Sequence, residues 1–95
     1  MLNSCAALEI ERPERYAKQL AAHISHKAES SSEADGVTTI TFGFGGSGTI
    51  SVNKNSVLLS AQAETKEALE MAQNVLGRHL LKFAKLEDQQ LTWSD

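Results

Sequence analysis

Two amphipathic segments constrain the fold of this chain more than any other feature of its sequence. In each segment the apolar residues recur every three or four positions, which predicts a helix with one face buried against a second layer. The segments cover residues 13–28 and 65–85. Their apolar stripes consist of Tyr16, Leu20 and Ile24 in the first segment and of Leu69, Ala72, Leu76, Leu80 and Phe83 in the second.

Both predicted helices carry sequence signals at their ends. Pro13 suits the first position of a helix, because its missing N–H has no partner there anyway. Thr65 offers a side-chain oxygen that caps the start of the second helix. Lys82 and Lys85 lie in the last turns of that helix, where the helix dipole favours positive charge. These signals support the helical interpretation of both segments.

Alternation of apolar and polar residues predicts strands in the rest of the chain, since a half-buried strand has a period of two. The predicted strands cover residues 6–11, 37–44, 49–52 and 57–63, with a short last strand at 91–93. Residues 29–36 are polar and end in Asp35-Gly36, a strong turn dipeptide. The sequence leaves open whether the first of these polar residues belong to a loop or to an incoming strand.

The predicted element order is β-α-β-β-β-α-β within a single domain, residues 1–95. A chain of this length suffices for one core between two layers. The pattern predicts an α+β two-layer sandwich, with both helices packed on one face of a mainly antiparallel five-stranded sheet. If both β-α-β passages are right-handed crossovers, the two helices run in the same direction.

Charge and hydropathy argue against several classes of protein. Nine basic residues stand against twelve acidic ones, a net charge of −3, whereas proteins that bind nucleic acid present a positive face. We expect no membrane span and no signal peptide, because the chain has neither a long apolar run nor a basic start. A single cysteine, Cys5, is typical of a reducing compartment. The predicted location is therefore the cytoplasm.

The candidate functional residues centre on three histidines. His23 and His26 are three positions apart on the first helix, about 60° apart around its axis, and His79 lies in the apolar stripe of the second helix. All three lie in the last third of their helices, so helices that point alike would bring them together. Three imidazoles suit a zinc or iron site with an open position, but they also suit a buried histidine with two surface neighbours.

Two basic residues adjoin these histidines in the sequence. Together they form a candidate site for a small anionic or catecholate-type ligand, with solvated surface charge as the alternative explanation. The predicted ligand-binding residues are His23, His26, Lys27, Arg78 and His79.

Sequence motifs of enzymes are not evident. The glycine-rich stretch 43–48 does not end in Gly-Lys-Ser/Thr and precedes a strand, whereas a phosphate-binding loop leads into a helix N-terminus. The sequence contains neither a Gly-x-Ser-x-Gly elbow nor an obvious carboxylate pair for acid–base chemistry. We therefore predict no catalytic residue, no metal ligand and no cofactor.

Several short stretches of the chain resemble a small bacterial family, domain of unknown function 2218. They are Pro-Glu-Arg-Tyr-Ala-Lys-Gln-Leu at 13–20, His-Ile-Ser-His-Lys at 23–27, Glu-Ala-Leu at 67–69, Arg-His-Leu at 78–80, Phe-Ala at 83–84 and Leu-Thr-Trp at 91–93. The resemblance covers nearly the whole chain. It implies a small bacterial domain with no assigned activity, and a possible place beside siderophore uptake.

The sequence thus predicts a non-catalytic module that binds a small anionic ligand or a protein partner, as a monomer or weak homodimer. Nucleic acid and membranes are not expected partners. Two alternatives stay open, a metal-handling accessory in iron or siderophore metabolism and a small enzyme of unknown reaction. Leu58 and Leu81 are the apolar residues that we expect to be exposed and available for a contact.

Overall fold

The computed structural model describes residues 1–86 and 88–94. Within these residues the chain forms five strands and two helices. In chain order they are β1 (Leu2–Glu9), α1 (Pro13–Ser25), β2 (Ser30–Ala34), β3 (Val37–Thr41), β4 (Gly46–Asn53), β5 (Ser56–Ala63) and α2 (Lys66–Phe83). None of the helices in this described part is long and apolar enough to cross a membrane.

The strands form one sheet in the order β1-β5-β4-β3-β2, and each neighbouring pair is antiparallel. Both helices contact β4 and β5, and they also contact each other. Helices on opposite faces of a sheet could not touch, so α1 and α2 lie on the same face. This confirms the predicted α+β sandwich with two helices on one face of a five-stranded antiparallel sheet.

The element order is β-α-β-β-β-β-α and differs from the predicted order at two places. The first is the polar segment after α1, where residues 30–34 form β2 and pair with β3. Asp35 and Gly36, with φ of 54° and 79°, make the turn of this hairpin. All five residues of β2 are exposed, so no alternation of apolar and polar residues marks this strand. Backbone pairing alone defines it.

The second difference lies in residues 88–94, here called the C-terminal segment. The predicted strand at 91–93 is not formed, and only Ser94 makes an antiparallel bridge, exchanging two backbone hydrogen bonds with Cys5 of β1. Leu91 and Trp93 instead pack against α2 at Gly77. The alternation correctly indicated half-buried side chains, but the surface that covers them is a helix and not a neighbouring strand.

The expectation that the two helices point alike is wrong. β1 and β5 are antiparallel, with Glu9 at the end of β1 opposite Ser56 at the start of β5. Because α1 follows β1 and α2 follows β5, the two helices begin at opposite ends of the sheet. The crossover itself is formed at α1, because β1 and β2 run in the same direction at the two edges of the sheet. In the described part of the chain α2 leads only to the single bridge at Ser94.

The core lies between the helical layer and the sheet. Its largest fully buried side chains come from both layers: Leu20, Ile24, Leu76 and Leu80 from the helices and Ile40, Ile50, Val57 and Leu59 from the sheet. Gly48 on β4 lies directly under α2. A Cβ atom at that position would be 2.6 Å from Cδ1 of Leu76 and 2.8 Å from the backbone oxygen of Ser60. The lack of a side chain at Gly48 therefore lets α2 sit close to the sheet.

Two local expectations about α2 have different outcomes. The Thr65 cap is confirmed, since its Oγ1 accepts a hydrogen bond from the backbone N–H of Ala68 at 3.1 Å. The predicted exposure of Leu81 is wrong, because this side chain is 8% exposed and belongs to the core. After α2 the chain folds back, and the backbone N–H of Leu86 donates to the carbonyl oxygen of Leu81. The returning chain thereby covers the face of α2 that carries Leu81, which an isolated helix would expose.

Candidate functional site

His23 of α1 and His79 of α2 meet at the contact between the two helices. Their ring centroids are 4.9 Å apart, with the ring planes inclined by 40°. The ring of Phe83, one turn beyond His79, meets the ring of His23 edge to face, with centroids 5.2 Å apart. All three side chains are half-buried. We call His23 and His79 the imidazole pair.

The hydrogen bond of His79 determines which of its ring nitrogens carries a proton. Its Nδ1 lies 2.7 Å from the carbonyl oxygen of Val75, one helical turn earlier. A carbonyl oxygen only accepts hydrogen bonds, so Nδ1 is the donor. In the neutral ring Nε2 then keeps its lone pair, and in the protonated ring Nε2 becomes a second donor. His79 can therefore bind either an acceptor or a donor through Nε2.

The charges around His23 are positive. Its pKa lies below the ordinary value of 6.5, first because partial burial of the ring disfavours the charged form, and then because His79, Lys27, Lys82 and His26 repel a positive charge. Each of these neighbours is basic. A negatively charged group bound beside the imidazole pair would relieve this repulsion.

A second feature, the α2 groove, lies between α2 and the C-terminal segment. It is an open groove of about 760 Å³, within the range of roughly 300–1,000 Å³ that is typical of small-molecule sites. Its charged and polar lining residues are Gln73, Asn74, Arg78, His79, Lys82, Gln89 and Gln90. Its remaining lining residues are Val75, Gly77, Leu81, Leu91 and Trp93. None of these described lining residues is acidic.

The structure divides the five predicted site residues into two groups. Arg78 and His79 line the α2 groove, and His23 touches His79 from the side of α1. His26, at the end of α1, and Lys27 are exposed and lie outside the groove lining. The sequence therefore predicted the meeting of His23 and His79, and it named Arg78 and His79, which line one wall of the groove. It placed all five residues in a single site, whereas His26 and Lys27 lie outside the groove lining.

The three histidines do not form a metal centre. Among residues 1–86 and 88–94, no three His, Cys, Asp or Glu side chains lie close enough together to hold a metal ion. The imidazole pair supplies two nitrogen-bearing rings, and an open metal site of the kind considered above needs three protein ligands.

Sequence reasoning missed the second wall of the groove. Gln89, Gln90 and Trp93 carry no binding motif, and they become lining residues only because the C-terminal segment folds back onto α2. One signal was available in Gly77. A glycine inside a helical pattern often has a packing reason, and a Cβ at this position would be 3.3 Å from Cδ1 of Leu91.

Comparisons with known proteins agree with this architecture. The family model described as "uncharacterized protein conserved in bacteria (DUF2218)" matches residues 5–94. Among solved structures, the NMR structure of PA4090 from Pseudomonas aeruginosa is similar, with 26% sequence identity and a TM-score of 0.80 over 99% of this chain and 96% of that chain. No curated protein matches the sequence. Since the family model covers both helices, all five strands and the C-terminal segment almost completely, the chain belongs to the bacterial DUF2218 family.

Proposed function

We propose that this protein is a non-catalytic binding module that holds a small anionic ligand in the α2 groove. The observation that carries the proposal is the charge of the groove wall. Arg78, His79 and Lys82 lie within little more than one turn of α2, and all three line the groove. The chain as a whole has a net charge of −3, so basic groups at this wall stand out against an acidic average.

Charge at an open surface gives modest affinity. A single pair of opposite charges 4 Å apart contributes between about 1 kcal/mol in water and about 4 kcal/mol near a protein surface. Salt screens such pairs over about 8–10 Å. A simple anion held by Arg78 and Lys82 should therefore bind with a dissociation constant of the order of 1 mM, or about −4 kcal/mol. Its affinity should fall as the ionic strength rises.

The lining also supports binding and not catalysis. The described lining residues include no Ser, Thr, Cys, Asp or Glu, and these are the usual nucleophiles and carboxylate bases. His79 is the one titratable imidazole in the lining, and its Nδ1 is already committed to Val75. The amides of Gln89 and Gln90 on the opposite wall can donate and accept hydrogen bonds, which suits orientation of a ligand.

Titration followed by amide and histidine-ring NMR tests the proposal. Inorganic phosphate and citrate are added separately to ¹⁵N-labelled protein at constant ionic strength. We expect saturable shifts at Arg78, His79 and Lys82, and binding at least about fivefold weaker in Arg78→Ala or Lys82→Ala. Lys54→Ala is the matched control, since Lys54 is exposed in the turn between β4 and β5 and lies outside the groove lining.

Two results would contradict the proposal. The first is the absence of saturable shifts along α2 with either anion. The second is an affinity that falls equally in Lys54→Ala and Lys82→Ala, because that pattern indicates an effect of general surface charge. Zn²⁺ alone, added in the same way, tests the metal-handling alternative through the ring signals of His23 and His79. The cytoplasmic location and the oligomeric state stay predictions from the sequence.

A further inference from the structure

The lining of the α2 groove combines a basic row with an apolar row. On a helix, residues four apart lie above one another, and neighbouring residues are turned by about 100°. Arg78 and Lys82 therefore form one row, and Gly77 and Leu81 form the row beside it. The basic row is bordered along its length by a surface with no charge.

The C-terminal segment extends this apolar surface. Leu91 and Trp93 approach α2 at Gly77, where a Cβ would be 3.3 Å from Cδ1 of Leu91 and 3.8 Å from Cζ2 of Trp93. Both side chains are half-buried and both line the groove. The indole of Trp93 thus lies against α2 at Gly77, the residue before Arg78. It offers a planar apolar surface to a molecule in the groove.

From this juxtaposition we infer that the groove takes an acid with a flat apolar body, such as an aryl carboxylate, in preference to a small inorganic anion. The inference rests on the proposed function and adds the class of ligand. The acid group would bind Arg78 and Lys82, and the ring would cover Trp93 and Leu91. Gly77 and Leu81 are already buried, so an inorganic anion would contact the basic row and leave the exposed parts of Leu91 and Trp93 in contact with water.

The inference is tested by comparing four probes on the unmodified protein: acetate, inorganic phosphate, 1-naphthoate and the uncharged 1-naphthalenemethanol. Trp93 is the single tryptophan of the chain, so its fluorescence, corrected for probe absorption, reports on the groove. Amide NMR shifts provide a second measurement. We expect 1-naphthoate to bind at least about tenfold more tightly than acetate, because stacking on an indole together with burial of a ring contributes at least one factor of ten.

Variants of Trp93 test whether this side chain is responsible for the preference for 1-naphthoate over acetate. In Trp93→Leu the advantage of 1-naphthoate over acetate should fall about fivefold or more, whereas Trp93→Phe should keep most of it. Acetate and phosphate should lose less affinity than 1-naphthoate in Trp93→Leu, because they contact the basic row and not the indole. The comparison of probes on the unmodified protein is decisive by itself if Trp93→Leu does not fold.

The outcomes separate this inference from the proposed function. Binding of phosphate and acetate, without tighter binding of 1-naphthoate, overturns the inference and leaves the proposed function standing. Failure of every anion to shift the groove signals overturns both. Equal binding of 1-naphthoate and 1-naphthalenemethanol overturns the requirement for an acid group. Tighter binding of 1-naphthoate than of the other three probes, reduced in Trp93→Leu, supports the inference.

Discussion

Replacement of Gly48 by alanine tests the packing of α2 on the sheet. The new Cβ would lie 2.6 Å from Cδ1 of Leu76 and 2.8 Å from the backbone oxygen of Ser60. The leucine methyl group can rotate away, but the backbone oxygen belongs to β5, an interior strand that is paired on both sides. Either α2 or the β4–β5 pairing must therefore shift to admit one methyl group.

The expected loss of stability follows from two opposing contributions. Overpacking a close-packed core costs about 1–3 kcal/mol. Replacing glycine also reduces the entropy of the unfolded chain, which offsets about 0.4–1 kcal/mol. Because the new Cβ meets a backbone atom, the cost should lie in the middle of its range, about 2–2.5 kcal/mol, and the net destabilisation of Gly48→Ala is then about 1–2 kcal/mol. Since a domain of 60–100 residues loses about 4–8 °C per kcal/mol, the midpoint of thermal unfolding should fall by about 4–16 °C.

Circular dichroism during thermal and urea unfolding measures this change. Gly43→Ala is the matched control, because a Cβ there meets no atom within 4 Å and the backbone conformation is not left-handed. We expect the control to stay within about 0.5 kcal/mol of the unmodified protein. In a double-mutant cycle with Leu76→Ala, the combined loss should be smaller than the sum of the two single losses. An unchanged unfolding midpoint in Gly48→Ala would refute the reasoning about close approach.

Two further predictions concern the pH dependence of stability and the start of α2. The pKa of His23 is lowered below 6.5 in the folded protein, so the unfolded chain binds more protons than the folded protein at acidic pH. The contribution of His23 to stability should therefore be present above pH 6.5 and be lost as the pH falls through the pKa of the folded protein. His23→Gln should weaken this dependence more than His26→Gln in urea unfolding at several pH values; equal slopes in all three proteins would contradict the assignment. Thr65→Ala should cost about 1 kcal/mol by removing the hydrogen bond to the N–H of Ala68, while Thr65→Ser should retain most of the stability in the same assay.

The sequence predicted those elements whose signal lies in their own side chains. Both helices and the strands β3, β4 and β5 overlap the predicted segments, because periodicity of three to four, or of two, follows directly from helix and strand geometry. The start of α2 at Thr65 is equally local. β2 was left undecided, since its side chains are all exposed and its partners are backbone groups of β3.

The sequence predicted in part which of the candidate residues come together, and their binding of a ligand stays a prediction. The apolar periodicity of the second helix placed His79 in the apolar stripe, and in the structure His79 and its neighbour Arg78 line the same groove. The contact of His79 with His23 was expected from helices that point alike, and the rings do meet although that premise is wrong. Relative placement of two helices depends on strand order, which periodicity does not contain.

What the sequence alone determined is therefore the two helices, the strands β1, β3, β4 and β5, most of their inward faces and the family. Only the tertiary structure decided that the C-terminal segment folds back, so that Ser94 pairs with Cys5 and Trp93 packs against α2 beside an open groove. Such contacts join residues far apart in the chain, and their free energy comes from surfaces that exist only after the layers have packed. Local propensity cannot encode them, and they supply the second wall of the proposed binding site.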